Sequence, residues 1–265
     1  MIEPIASRDE TDASGFVLAG GQSSRMGRDK ALLSFAGQPL IAHALSILRE
    51  AGLPAAIAGV PPDRSTPGRS SPDRSTPDRS GSAGQIAGAN PQAGKLEEKG
   101  SQENGALAAF APIVEDSQPG SGPLAGICAG LAAVATRYVV FLPVDLPLLP
   151  SSLIAYMLHH ARITGRAVTV SSINAFAQTF PVVLDRSVLP ALQNDLHSGR
   201  RGCFSAFEAA ANGMGQPIAS VAVELLTQSG QVMHPIGWPP AYWFLNVNTP
   251  QDLHRAEALI ARVIA

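Results

Sequence analysis

The segment at residues 15–33, GFVLAGGQSSRMGRDKALL, carries the residue types from which phosphate-binding loops are built. An apolar run leads into the adjacent glycines Gly20 and Gly21, whose bare backbone lets N–H groups close on an anion. The side chains that follow can donate hydrogen bonds to phosphate oxygens: Ser23, Ser24, Arg25 and Lys30. These residue types predict a polyphosphate site, and the alternative is that the two cations are surface charges beside a turn.

The loop matches neither of the two common phosphate-binding patterns. The chain has no GxxxxGK segment followed by Ser or Thr, and a GxGxxG pattern fails because Gln22 follows Gly20 and Gly21. A P-loop ATPase is therefore excluded, although all the parts of an anion site are present.

Asp145 is the best candidate for a metal ligand. It follows residues 138–144, a strongly apolar segment that we predict to be a strand. Open α/β sheets bind ligands beyond the carboxyl ends of their strands, and magnesium uses one or two carboxylates together with substrate phosphates. The alternative is that Asp145 only turns the chain before Pro147.

Two asparagines near the end of the sequence can complete such a site. Asn246 and Asn248 follow another apolar segment, so their amides can orient the metal shell, its water or an acceptor. The alternative makes them turn residues before a helix. That helix has Thr249 as its N-cap, Pro250 in its first turn and Asp252 as a capping-box acid, so capping already explains Thr249.

Two further segments carry candidate binding residues. Residues 122–126, GPLAG, open a predicted helix and leave backbone N–H groups free, unless they are a plain strand-to-helix connection. Arg200 and Arg201 in SGRRG can clamp a phosphate or stay solvated. The histidines without an acidic partner in view are predicted to be surface residues: His159, His160, His197, His234 and His254.

Alternating strands and helices must position these residues. Apolar runs predict strands at residues 15–19, 55–60, 112–114, 138–144, 167–170 and 178–184, and a strand or edge hairpin at 218–226. Periodicity and caps predict helices at residues 39–51, 124–136, 151–164, 187–196 and 203–211. Residues 242–265 read as strand, loop and helix. The pattern predicts an α/β fold, with a mostly parallel sheet in three layers and right-handed crossovers.

The composition fits one domain with an interruption. The chain has 265 residues, 45% hydrophobic and 15% charged, and its net charge of −2 gives no general attraction to nucleic acid or anionic membranes. We predict a flexible N-terminus at 1–13 and a single domain at 14–265, interrupted by a disordered insertion at 61–105. In the insertion the pentad Pro-x-Arg-Ser-x occurs four times. Neighbouring acidic residues favour a solvated linker over an RNA-binding arm.

The cysteines and the N-terminal residues bear on the cellular setting. Cys128 and Cys203 lie far apart with no second ligand nearby, so we expect two reduced thiols and neither a disulfide framework nor a zinc ribbon. The first residues are acidic where a signal peptide is basic and then apolar, and no apolar run approaches the roughly 18 residues of a membrane span. We expect a cytoplasmic protein with no membrane partner.

Residues 18–33, LAGGQSSRMGRDKALL, resemble the LAGGxSxRMGxDK signature of the molybdenum cofactor guanylyltransferases, the MobA-like members of the nucleotidyltransferase superfamily. Further segments recur in the family's order: IVEDSQPGSGPLAGICAGL, FLPVDLPLL, FPVVL, SGRRGCF and FLNVNTPQDL. The resemblance covers residues 16–263 apart from the insertion. It implies a Rossmann-like fold of the nucleotide-diphospho-sugar transferase type.

The resemblance also implies an activity, in which GMP passes from GTP to the phosphate of molybdopterin with Mg²⁺ as cofactor and pyrophosphate as the second product. The implied nucleotide-binding residues are Leu18, Ala19, Gly20, Gly21, Ser23, Arg25, Lys30, Gly122, Pro123 and Leu124. The implied catalytic residues are Arg25, Lys30 and Asp145. Asp145 and Asn246 are expected to bind the metal, and the expected acceptor-binding residues are Asn248, Arg200 and Arg201.

Several alternatives stay open at this point. A sister enzyme that uses CTP or another phosphorylated acceptor would share the glycine loop and Asp145. A non-catalytic nucleotide-binding adaptor would use the insertion to recruit a partner. Cofactor-accepting molybdoenzymes or their chaperones are further candidate partners, and a monomer or weak homo-oligomer is expected. The apolar residues 237–244, GWPPAYWF, can serve an oligomer contact or a pterin stack.

Overall fold

The computed structural model describes residues 12–19, 30–60, 104–116, 118 and 120–264, with the backbone alone at 262–264. These residues contain a seven-stranded sheet and a separate two-stranded hairpin. The strands, in chain order, are β1 Ala13–Leu18, β2 Ser34–Phe35, β3 Gln38–Pro39, β4 Ala55–Val60, β5 Ile113–Glu115, β6 Tyr138–Pro143, β7 Val168–Ile173, β8 Phe176–Asp185 and β9 Ala219–Ala222.

The seven-stranded sheet is mostly parallel, as the sequence predicts. Its strand order is β5-β4-β1-β6-β8-β7-β9, and β8 is the one strand of this described sheet that runs against its neighbours. β1 lies between β4 and β6 and is parallel to both. The carboxyl ends of the other six strands therefore share one edge, which we call the site edge, and β8 runs from this edge to the opposite one.

Helices cover both faces of the sheet and complete the three predicted layers. One face packs against α1, α3, α6 and α8, and the other against α2, α4 and α5. Residues 104–108 are also helical. The numbered helices are α1 Leu40–Glu50, α2 Pro123–Ala133, α3 Ser151–Thr164, α4 Leu189–His197, α5 Cys203–Gly213, α6 Val223–Gln228, α7 Pro240–Trp243 and α8 Pro250–Ile264.

The helix α3 shows why periodicity succeeds on this chain. Its buried residues are the predicted apolar face: Leu153, Ile154, Met157, Leu158 and Ala161. Gly165 ends the helix in the left-handed conformation, with φ at 63°. Apolar side chains three and four positions apart form one stripe on a helix, and this stripe is what the sheet buries.

Two sequence-based predictions are wrong in the C-terminal third. Residues 218–226 are not a strand or hairpin throughout, because β9 ends at Ala222 and α6 begins at the next residue. Residues 242–248 do not form a strand. Trp243 ends α7 with its side chain fully buried, and its Nε1–H donates to the Trp238 carbonyl at 2.8 Å. Both tryptophans are core residues, so the prediction of a pterin stack or an oligomer contact for residues 237–244 now concerns Tyr242 and Phe244, whose side chains are partly buried.

The predicted N-terminal and inserted segments fall largely outside the described residues. Asp12 is described and accepts hydrogen bonds from Arg162, and β1 begins at the next residue. Of the predicted insertion, residues 104 and 105 are described and are helical. In the described part of the chain, no helix is both long and apolar enough to cross a membrane.

The predicted capping box opens α8 and confirms the capping role of Thr249. The Asp252 carboxylate accepts from the Thr249 amide and hydroxyl, both at 2.8 Å, and the Asp252 amide donates to the Thr249 hydroxyl at 3.2 Å. The same carboxylate oxygen accepts from the Asn248 amide at 3.1 Å. The Thr249 hydroxyl first, then these amides and the charge of Lys30, hold the pKa of Asp252 below its usual 3.8.

A close contact between two glycines fixes α2 against the sheet. A Cβ atom added at Gly126 of α2 would lie 2.7 Å from the Cα of Gly59 in β4 and 2.9 Å from its amide nitrogen. These neighbours are backbone atoms, which cannot rotate away. Glycine is therefore required at this helix position for steric reasons.

We expect Gly126→Ala to destabilise the fold by about 1–3 kcal/mol, because the added methyl group must push α2 away from β4. Urea unfolding followed by circular dichroism measures this loss. Gly213→Ala is the matched control, since a Cβ atom at Gly213, also helical, meets nothing within 4 Å. A loss of stability as large in the control as at Gly126 would contradict the steric argument.

We expect Asp252→Asn to lower the melting temperature at pH 7. The folded pKa of Asp252 is lowered, so its carboxylate stabilises the folded chain above pH 3.8 and that stabilisation is lost as the pH falls through the lowered value. The difference from the wild type should therefore shrink below pH 3.8. Thermal unfolding across pH tests this, with Glu208→Gln on the exposed face of α5 as control. A deficit of constant size at every pH would rule out the charge effect.

Candidate active site

The candidate site begins where β1 ends at the site edge. The Ala19 amide donates to the Ala58 carbonyl at 3.1 Å, and the Val144 amide donates to the Leu18 carbonyl at 3.2 Å. Leu18 and Ala19 are thus held between the ends of β4 and β6. The remaining glycine-loop residues of the prediction lie outside the described residues: Gly20, Gly21, Ser23, Ser24 and Arg25.

Lys30 joins two candidate residues from distant parts of the chain. Its Nζ donates to Asp145 Oδ2 at 2.9 Å and to Asn248 Oδ1 at 2.6 Å. The Lys30 and Asp145 side chains are only 15% and 21% exposed, which strengthens their attraction relative to a surface pair. The loop before α8 is fixed beside them, because the Val247 amide donates to the Asp145 carbonyl at 3.0 Å.

The second oxygen of Asp145 suits a cation. Asp145 Oδ1 is buried, and no described residue donates a hydrogen bond to it. A buried carboxylate oxygen needs a partner, so a divalent ion is a chemically suitable one. Asn246, the second predicted ligand, is exposed in the same loop. Among the described residues no three His, Cys, Asp or Glu side chains are grouped to hold a metal, so any ion here would take further ligands from substrate or water.

The start of α2 forms the other side of the site edge. Gly122 precedes the helix with φ at 77°, a conformation that favours glycine, and it is exposed with Pro123. Leu124 is fully buried in the core, so it can offer a ligand only its backbone. The predicted role of these three residues therefore depends on main-chain atoms.

The two arginines of SGRRG have different partners. Arg200 Nη2 lies 2.9 Å from Asp195 Oδ1, whereas Arg201 Nη1 donates to the Gly120 carbonyl at 3.3 Å. Arg201 thus reaches the turn before α2, and Arg200 binds back to its own α4. The contacts of neither arginine extend to Lys30, Asp145 or Asn248.

Asp116 is a further candidate binding residue at the site edge, and the sequence analysis missed it. It follows β5 at the site edge and is only 5% exposed. Its amide donates to the Val60 carbonyl at 2.8 Å, and its Oδ1 accepts from the Gln118 amide at 2.7 Å. The rule that selected Asp145, an acidic residue directly after an apolar strand, selects Glu115 after the predicted strand at 112–114. In the structure β5 extends through Glu115, so Asp116 is the residue that follows it.

The two cysteines are unsuited to act as nucleophiles, and the histidines differ in their burial. Burial raises the pKa of the Cys128 thiol to about 11, assisted by Asp116, and that of Cys203 to about 12, so both stay protonated, as expected for reduced core cysteines. His160 and His234 are partly buried, which corrects the prediction that they are surface residues, and burial lowers the pKa of each. The exposed histidines agree with that prediction: His159, His197 and His254.

Comparisons with known proteins agree with this architecture. The family model of the MobA-like NTP transferase domain matches residues 15–212. A molybdenum cofactor guanylyltransferase of Bordetella pertussis is 28% identical over 200 residues, which cover 73% of this chain and 81% of that protein.

Two solved structures share the fold. Molybdopterin-guanine dinucleotide biosynthesis protein A of Archaeoglobus fulgidus has a TM-score of 0.62 at 18% identity and covers 94% of this chain and 99% of its own. The 2-C-methyl-D-erythritol 4-phosphate cytidylyltransferase of Thermus thermophilus has a TM-score of 0.54 at 16% identity, and the match covers 93% of this chain and 98% of that one. The fold and the position of Lys30 and Asp145 at the site edge agree with the family match over three quarters of the sequence. This chain therefore belongs to the MobA-like NTP transferase family.

Proposed function

We propose that this chain transfers GMP from GTP to the terminal phosphate of molybdopterin, with or without its metal, and releases pyrophosphate in the cytoplasm. The observation that carries the proposal is the meeting of Lys30, Asp145 and Asn248 at the site edge of a MobA-like fold. The relatives named as molybdenum cofactor guanylyltransferases support the choice of substrates.

The reaction joins two phosphates. An oxygen of the acceptor phosphate forms a bond to the α-phosphorus of GTP, and the bond from that phosphorus to the bridging oxygen of the β-phosphate breaks. The attacking group is already an ionised phosphate, so no protein base has to remove a proton from it. Positioning and charge stabilisation are then the main contributions of the protein.

We propose that Lys30 neutralises negative charge on the triphosphate. In the protein alone, its ammonium group is shared between the Asp145 carboxylate and the Asn248 amide. We assign it to the β- and γ-phosphates, which leave as pyrophosphate, together with Arg25 of the glycine loop. An ammonium group is a point charge that can move between oxygen acceptors without a fixed fork geometry.

Asp145 would hold a magnesium ion, joined by an amide oxygen of Asn246 or Asn248. Asp145 Oδ1 is buried and accepts no hydrogen bond from a described residue, which supports this assignment. Magnesium bound there would neutralise phosphate charge and make the α-phosphorus more electrophilic. The backbone N–H of Asn248 donates to the Asp252 carboxylate. With its backbone held in this way, Asn248 would orient the acceptor from the start of α8.

Asp116 is a candidate acceptor for the N–H groups of the nucleotide base. Guanine carries N–H donors on its Watson–Crick edge, and a buried carboxylate accepts such donors well. Asp116 lies at the end of β5, close to the α2 side of the site edge, where the nucleotide is proposed to bind. Cytosine also carries an amino donor on this edge, so Asp116 suits GTP and CTP alike, and the choice of GTP rests on the named relatives.

A transfer assay tests the proposal directly. Purified protein is incubated with molybdopterin, magnesium and one of GTP, ATP, CTP or UTP, while pyrophosphate release and product mass are measured. We expect the guanine dinucleotide product with GTP alone. A cytidylyl product would support the sister enzyme instead, and GTP binding without turnover of any pterin would support the adaptor alternative.

Asp145→Ala should lower kcat at least about a hundredfold, the usual effect of removing one electrostatic stabiliser of a transition state. The variant should still fold, but its melting temperature should fall because the Lys30 ammonium loses a largely buried partner, so turnover is compared well below both melting transitions. Asp185→Ala is the matched control, since Asp185 pairs with Arg137 at the opposite edge. Full turnover in the Asp145 variant would remove this residue from the mechanism.

A further inference from the structure

Residues 237–244, GWPPAYWF, take no part in the proposed reaction, although they contain both tryptophans of the chain. The His234 ring lies against both indoles, with its centroid 5.0 Å from that of Trp238 and 6.2 Å from that of Trp243. The Trp243 indole N–H donates to the Trp238 carbonyl at 2.8 Å and closes the group. We call these three residues the aromatic cluster.

The ring of His234 is fixed from both sides. Its Nδ1 accepts from the Ile236 amide at 3.3 Å, so the other ring nitrogen carries the hydrogen of the neutral imidazole. The ring also has a hydrogen bond with the Leu148 backbone. Burial lowers the pKa of His234 by more than this bond raises it, which favours the neutral form.

The loop that receives the Leu148 contact carries Asp145. This loop, residues 144–150, connects β6 to α3. In the first turn of α3 the Ser152 hydroxyl donates to the Met233 carbonyl at 2.7 Å, next to His234 in the chain. The start of the segment that contains the aromatic cluster therefore holds the loop where it enters α3.

The end of the same segment holds the loop where it leaves β6. The Val247 amide donates to the Asp145 carbonyl at 3.0 Å. The next residue, Asn248, shares the Lys30 ammonium group with the Asp145 carboxylate. Residues 233–248 thus contact the loop at both of its ends, and the aromatic cluster closes the segment between these contacts.

We infer that His234 is a positioning residue for Asp145, because the aromatic cluster fixes residues 233–248 in the shape that holds Asp145 beside Asn248. The inference rests on the proposed function and gives the GWPPAYWF segment a role in it. Mutating a group that orients a metal ligand commonly changes metal affinity or activity about ten- to a hundredfold. Ordinary core packing predicts instead a loss of stability with an unchanged use of magnesium.

Steady-state kinetics with varied magnesium and varied GTP tests the inference. His234→Ala should lower kcat about tenfold and raise the magnesium concentration for half-maximal rate, because a displaced Asp145 holds the ion less well. The KM for GTP should change less, since Lys30 and the glycine loop are still present. His234→Phe keeps a ring in the stack but has no donor for the Leu148 backbone, so it should fold and show a smaller change in the same direction.

Tyr138→Phe is the matched control for lost stability. The buried Tyr138 hydroxyl donates to the Ala161 carbonyl at 3.2 Å near the opposite edge, so its removal should lower the melting temperature and leave kcat and the magnesium dependence unchanged. A fall in kcat as large in this control as in His234→Ala would overturn the inference. Unchanged kcat and magnesium dependence in both His234 variants would overturn it as well.

A double variant decides whether His234 acts through Asp145. Added to Asp145→Ala, the His234→Ala change should lower kcat little further, because the group that it positions is already gone. A full additional loss in the double variant would mean that His234 acts by another route and would contradict the inference.

Hydrogen exchange and calorimetry separate this inference from the proposed function. If the wild type transfers no nucleotide, the proposed function fails, and both measurements are made on the wild type, His234→Phe and Tyr138→Phe. Faster amide exchange in residues 144–152 together with weaker binding of magnesium–GTP, in the His234 variant alone, would still support the positioning role. Unchanged exchange in these residues, or unchanged affinity, would overturn it.

Discussion

The contact of Lys30 with Asp145 and Asn248 is the interaction on which the candidate site depends. It joins residues separated by 115 and 218 positions in the sequence. A largely buried carboxylate is costly without a partner, so the ammonium group stabilises both the end of β6 and the loop before α8. Asp252 holds the same loop from the other side through the Asn248 amide. The candidate site is therefore held by the ion pair of Lys30 with Asp145 and by the capping contacts of Asp252 at the start of α8.

The direction of the strands explains how so few residues meet at one place. Six strands end at the site edge, and each of β1, β5 and β6 is followed there by a segment with candidate residues. The antiparallel β8 ends at the opposite edge, and α4 then returns the chain, with its SGRRG segment, to the site edge. Function on this fold is thus distributed over loops, while the sheet supplies the common edge.

Much of the fold could be predicted because its signals are local. The apolar stripe and terminal glycine of α3 are read within one helix, and the capping box of α8 within four residues. The strand predicted at the start of residues 242–265 fails because an apolar aromatic run looks the same in a strand and in a buried turn around Trp243. The different partners of Arg200 and Arg201 were unpredictable, since the partner of Arg201 lies 81 residues away in another loop. Asp116 was missed because β5 extends one residue beyond the predicted strand, to Glu115.

The glycine pair between α2 and β4 has a consequence for how the molecule tolerates change. Main chain lies against main chain at Gly126 and Gly59, so backbone atoms set the spacing between the first turn of α2 and β4, whereas Gly130 farther along α2 faces the Phe141 side chain. The first turn of α2 therefore lies directly on β4, which pairs with β1 in the sheet. A nucleotide bound between the end of β1 and the start of α2 would therefore meet a gap whose width is set by this backbone contact.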